Sequence, residues 1–90
     1  MKLNFKQMEV IAGISDKNTY LQDVRESFAN IVYRMGNGIA CLELARKIYN
    51  SDGDEEYTDN EVKIIRQMSH TCTPQFIESI NRMLNKEEEK

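Results

Sequence analysis

Asn50-Ser51-Asp52-Gly53-Asp54-Glu55-Glu56-Tyr57-Thr58-Asp59-Asn60-Glu61 is an acidic stretch between two apolar segments of helical spacing. Its last residues carry the strongest helix-start signal in the chain. Thr58 stands at a cap position, Glu61 three residues on can reach back to it, and Tyr57 can staple to Val62. Asp59 and Glu61 also favour the positive end of a helix dipole. The stretch therefore predicts an acidic hinge over 50–61 with a helix on either side.

C-terminal to the hinge, Ile64, Ile65 and Met68 supply the buried face of one helix. Thr73 as cap and Pro74 at the first helical position open the last one. Its stripe is Phe76, Ile77, Ile80, Met83 and Leu84. Residues 86–90 read as a charged flexible tail, which leaves 1–85 as a single helical domain.

N-terminal to the hinge, Leu21, Val24, Phe28, Ile31 and Met35 recur in alternating steps of three and four. Thr19 and Gln22 give this helix a capping-box start. The same stepping continues through Gly38, Leu42, Ala45 and Tyr49. Gly36-Asn37-Gly38 either breaks or kinks the helix, with Gly36 as its terminal residue, or lies inside one helix from about 20 to 50. Upstream, Asn4 with Gln7, a Leu3–Met8 staple and the spacing of Phe5, Met8, Ile11 and Ala12 predict a further helix ending at Gly13, followed by a polar turn over 14–18. The expected fold class is all-α: a small bundle of four to five short helices, with no strand.

Ninety residues support one core and leave much of the surface wet. No apolar run approaches the roughly 20 residues of a membrane span. The first eight residues are too polar for a signal peptide, and Cys41 and Cys72 lack a CxxC spacing. These features imply a cytoplasmic protein with reduced thiols and no membrane partner. The net charge of −3 is unevenly spread, with six acids and no base between 52 and 61 and a mildly basic remainder. That distribution argues against a broad nucleic-acid surface, which needs clustered Lys and Arg.

Three chemistries can be weighed. On EF-hand spacing Asn50, Asp52, Asp54, Thr58 and Glu61 fall at oxygen-donor positions, but Glu55 stands where the sharp turn needs glycine. A degenerate calcium loop is thus one alternative. His70 lies two residues from Cys72, yet no third group or oxyanion cradle accompanies them, so no catalytic residue is assigned. Helices near 39–50 and 62–70 with Arg46, Lys47, Lys63 and Arg66 offer a helix-turn-helix-like DNA-binding regulator as another alternative, although the connection is long and acidic. No metal or cofactor is expected.

The leading expectation is a non-enzymatic protein–protein interaction module, with a homodimer as one form of it. Its contact surface would combine Leu21, Phe28, Ile31, Met35 and Tyr49 with Asp52, Asp54, Glu55 and Glu56.

Met1-Lys2-Leu3-Asn4-Phe5-Lys6-Gln7 and Thr73-Pro74-Gln75-Phe76-Ile77-Glu78-Ser79-Ile80-Asn81 resemble stretches of small helical proteins encoded by bacteriophages and prophages. The resemblance covers about a quarter of the chain. It implies a protein made inside a bacterial host that acts by binding a host or phage protein.

Overall fold

The computed structural model describes residues 1–15 and 17–89. Asp16, within the expected turn, and Lys90, at the end of the expected tail, lie outside the described residues. The chain runs β1 (Lys2–Leu3), β2 (Met8–Ile11), β3 (Thr19–Gln22), α1 (Arg25–Met35), α2 (Gly38–Asn50), β4 (Glu55–Glu56), α3 (Asp59–Ser69) and α4 (Pro74–Glu88). Two antiparallel two-stranded sheets, β1–β4 and β2–β3, accompany the four helices. The fold is mixed α and β, which corrects the all-α expectation.

The correction falls on the first 24 residues. Asn4 does act like a cap: its Oδ1 accepts from the backbone of Lys6 and Gln7 at 3.0 and 2.9 Å. The turn so formed does not propagate. Only eight residues lie between Asn4 and Gly13, too few for a helix that tertiary packing does not favour. Met8 and Val10 alternate into the core instead, opposite Gln22 and Tyr20. Residues 19–22, expected to begin the second helix, form the outer strand of that hairpin. The helix starts at Arg25, where Asp23 accepts from the Arg25 backbone at 3.1 Å.

The acidic stretch is likewise not a free hinge. Glu55 and Glu56 pair across Leu3 and Lys2, and Tyr57 N–H donates to the Met1 carbonyl at 2.8 Å. Thr58 and Glu61 form the expected reciprocal capping box at the start of α3, and buried Tyr57 and Val62 both belong to the core. Thr73 caps α4 with Pro74 in its first turn. That helix continues to Glu88, with Lys86 paired to Glu9 at 3.1 Å and Arg66 paired to Glu88.

Of the two readings of Gly36-Asn37-Gly38, the structure has the break. Met35 ends α1, and Gly38 opens α2 at φ +84°. A Cβ on Gly36 would lie 2.6 Å from the Val32 carbonyl and 2.7 Å from the Cys41 Cβ, so the close return of the chain excludes a side chain there. The buried faces of this helical hairpin are Phe28, Ala29 and Val32 on α1, and Leu44, Ala45 and Ile48 on α2. Of the expected stripe, Val24, Phe28 and Ala45 are buried and Ile31 and Leu42 half-buried. Leu21, Met35 and Tyr49 are exposed, whereas Val32, Leu44 and Ile48 fill the core, because steps of three and four describe two adjacent helix faces equally well.

One core joins every helix to β1 and β2. At its centre Phe5 stacks on Phe28 with ring centroids 5.4 Å apart and meets Tyr57 edge-on at 5.7 Å. Phe76 of α4 reaches Phe28 at 5.4 Å. We expect Phe5→Ala to lower unfolding free energy by about 3–5 kcal/mol in urea titrations. Gly36→Ala should cost about 1–3 kcal/mol through overpacking, whereas Gly13→Ala, with open space around it, should change stability by no more than about 0.5 kcal/mol.

Candidate interaction surface

The two-residue connection between α1 and α2 brings the helices side by side, and Ala29 and Ala45 keep the contact close. Small residues at this line leave a groove of about 210 Å³ lined by Ala29, Asn30, Tyr33, Ala45, Arg46 and Tyr49, with Asn50 at its end. Tyr33 and Tyr49 stand over it, each four residues after an alanine of the floor, and are 65% and 57% exposed. Met35 and Ile39, at the turn between the helices, are 56% and 68% exposed. Four of the seven large exposed apolar side chains among the described residues are thus on this helical hairpin.

The expected contact residues are divided by the fold. Met35 and Tyr49 are exposed on the hairpin, and Ile31 is half-buried against the core. Phe28 is fully buried, stacked on Phe5. Leu21 is exposed but lies on β3. Tyr33 and Ile39 were missed by the sequence reading. The repeated Ala-to-Tyr spacing of Ala29–Tyr33 and Ala45–Tyr49 was the available signal.

An acidic rim adjoins Tyr49. Asp23, Arg25, Glu26 and Tyr49 line a shallow depression. Arg25 holds both oxygens of Asp23 and donates Nη1 to the Ser51 carbonyl at 2.6 Å, which fixes the end of α2 to the start of α1. Its side-chain and backbone hydrogen bonds keep the Asp23 carboxyl below its usual value. Asp52, 85% exposed, pairs with Lys6 at 2.7 Å, and that bond lowers its pKa. Asp54 is exposed, Glu55 is half-buried in β4, and Glu56 faces the Met1 ammonium at 3.3 Å.

The other candidate chemistries are dispersed by the fold. Asn50 donates to the Arg46 carbonyl, Asp52 is held by Lys6, and Glu61 serves Thr58 and Lys47. Among the described residues no group of three or more His, Cys, Asp or Glu is placed to hold a metal ion. Burial raises the Cys72 thiol pKa, and its Sγ approaches the Met68 carbonyl at 3.7 Å. Of the cations weighed for DNA, Lys47 pairs with Glu61 and sits 4.7 Å over the Tyr57 ring, while Arg66 pairs with Glu88. No helix among the described residues is long and apolar enough to cross a membrane. No family model, curated protein or solved structure matches this chain.

The junction beneath this surface has a definite pH response. Burial pushes the Tyr57 hydroxyl up to about 12, an effect that the nearby Ser51 hydroxyl offsets only in part. Among the described residues the Tyr57 hydroxyl has no partner at hydrogen-bond geometry, the Ser51 Oγ donating instead to the Ile48 carbonyl. Burial also raises Glu61, but hydrogen bonds from Thr58 and Lys47 outweigh it and leave the carboxyl lowered.

The raised Tyr57 contributes stability in full below the unfolded value of 10.0, and loses it as pH climbs toward about 12. We expect Tyr57→Phe to flatten that alkaline limb in thermal melts, with the tyrosinate absorbance difference reporting Tyr57 alone. The lowered Glu61 contributes above its unfolded value of 4.5, and that contribution fades as pH falls through the folded value. Glu61→Gln should therefore make acid unfolding less steep.

Proposed function

We propose that this chain is a non-enzymatic protein-interaction module. Its contact surface is the outer face of the α1–α2 hairpin, bordered by the acids near the end of α2. The observation that carries this reading is the pair of exposed tyrosines at an alanine-lined groove, with Met35 and Ile39 also exposed near the turn of the same hairpin. Tyrosine supplies a large apolar face with few rotatable bonds and a polar tip, so it anchors interfaces at low entropic cost. A groove of this size accepts one or two apolar side chains projecting from a partner's helix or loop.

Asp23, Glu26 and Asp52 at the rim favour a partner with basic residues flanking that apolar element. Attraction across the rim would speed encounter and weaken with salt. The resemblance of the two terminal segments to phage-encoded proteins is in keeping with a partner of host or phage origin, met in the cytoplasm.

The test compares immobilised wild type with a Tyr33→Ala/Tyr49→Ala variant, checked by circular dichroism, as baits in a native bacterial lysate. Proteins retained by wild type should be lost from the variant. They should also be weakened by replacing Asp52, Asp54, Glu55 and Glu56 with their amides. Partners retained equally by a folded double variant would remove the hairpin face from this role.

A further inference from the structure

We propose that the outer edge of β3 pairs with β3 of a second copy, in an antiparallel register centred on Tyr20, giving a four-stranded sheet across the dimer. The inference rests on residues separate from the helical hairpin.

The hydrogen-bond phase of the β2–β3 hairpin decides which backbone groups are available. Ala12 N–H donates to the Asn18 carbonyl at 2.8 Å, and the register pairs Val10 with Tyr20 and Met8 with Gln22. Antiparallel strands alternate hydrogen-bonded and non-bonded pairs. Asn18, Tyr20 and Gln22 therefore turn their polar backbone groups toward β2. Glu9 and Ile11 on β2, and Thr19 and Leu21 on β3, turn theirs away.

The two outward edges are treated differently. Ile11 is satisfied by α4: its N–H donates to Ser79 Oγ at 3.0 Å, and its carbonyl accepts from Gln75 Nε2 at 2.8 Å. Among the described residues no helix or strand covers the edge of β3, and the element it contacts is β2. All four β3 residues are exposed, Tyr20 at 46% and Leu21 at 66%. Thr19-Tyr20-Leu21-Gln22 contains no charge and no proline, the usual guards of an open edge. A two-stranded ribbon is also marginal in water, and added strands stabilise it.

The occupant follows from the charges that bracket the strand. A two-fold axis at Tyr20 sets Thr19 opposite Leu21 of the second copy, so both outward-facing residues of each chain form narrow pairs, with four N–H···O=C bonds in all. The same register sets Lys17 opposite the second copy's Asp23. Asp23 retains 47% side-chain exposure although Arg25 already holds it. An axis at Leu21 would place Lys17 against Arg25, and an axis at Thr19 would place it against Leu21. Only the register centred on Tyr20 satisfies hydrogen bonding and charge together, with the two Tyr20 side chains adjacent across the axis.

Sedimentation of the full chain tests this, with the mass expected to rise with concentration from 10.5 kDa to twice that value. Leu21→Pro deletes an outward N–H that β2 does not use, at an edge position where proline is tolerated. By symmetry it removes two of the four bonds, and should raise the dimer Kd roughly tenfold or more at unchanged circular dichroism. Lys17→Glu, which leaves the strand itself intact, should weaken the dimer by opposing two carboxylates.

The register is read in a Cys41→Ser/Cys72→Ser background. There Tyr20→Cys should oxidise readily to a cross-linked dimer, and Ile14→Cys, at the hairpin tip, should not. A wild-type monomer at the highest soluble concentration would overturn the proposal. So would a dimer indifferent to both Lys17→Glu and a folded Leu21→Pro, or equal cross-linking from positions 14 and 20.

Discussion

The ring of Phe5 is the contact through which the remaining parts hold one another. It is fully buried between the face of Phe28 on α1 and the edge of Tyr57 at the start of α3. Placing it there goes with a short strand, Lys2–Leu3, followed by the turn that Asn4 holds. In that arrangement Leu3 and Lys2 lie beside Glu55 and Glu56, and the Phe5 carbonyl accepts from Val24 N–H at 2.8 Å. A helix from Asn4 would have engaged that carbonyl internally and carried Phe5 away from one of its two aromatic neighbours. Burial of one aromatic side chain is worth a few kcal/mol, more than a short N-terminal helix gains from propensity.

The same arrangement disciplines the acidic segment. Six acids in ten residues would repel one another if left as an open bend. Instead Asp52 meets Lys6, Glu56 meets the Met1 ammonium, and Glu61 meets Lys47 and the Thr58 backbone. Arg25 adds a cross-link from the start of α1 to the Ser51 carbonyl. These contacts are largely exposed and individually weak. Their effect is positional: they keep the end of α2 beside the start of α1 and leave a negative rim next to Tyr49.

A chain of this length cannot cover all its apolar surface, and the uncovered part falls at two separate places. One is the helical hairpin, with Tyr33 and Tyr49 at its groove and Met35 and Ile39 near its turn. The other is the β2–β3 hairpin, with Leu21, Tyr20 and fully exposed Ile14. They differ in kind. The helical hairpin presents side chains, whereas the strand edge presents backbone groups.

Signals confined to neighbouring residues were legible in the sequence. The Thr58–Glu61 box and the Thr73-Pro74 start each depend on atoms within a few residues, and each stands where it was read. The choice between a break and a continuous helix at Gly36–Gly38 was left open, and the structure has the break. The helix expected to start at Asn4 does not form: the Asn4 Oδ1 holds a turn at Lys6 and Gln7, and a turn cannot compel a helix. Whether Met8–Ile11 and Thr19–Gln22 coil or extend was decided by partners far along the chain: Ser79 and Gln75 for Ile11, Phe28 and Tyr57 for Phe5. Their apolar residues fit periods of two and of 3.6 alike, so spacing could not choose between them. The same ambiguity placed Phe28 on the contact surface and passed over Tyr33. Which face of a helix meets water depends on what packs against the other, and that is a property of the assembled core alone.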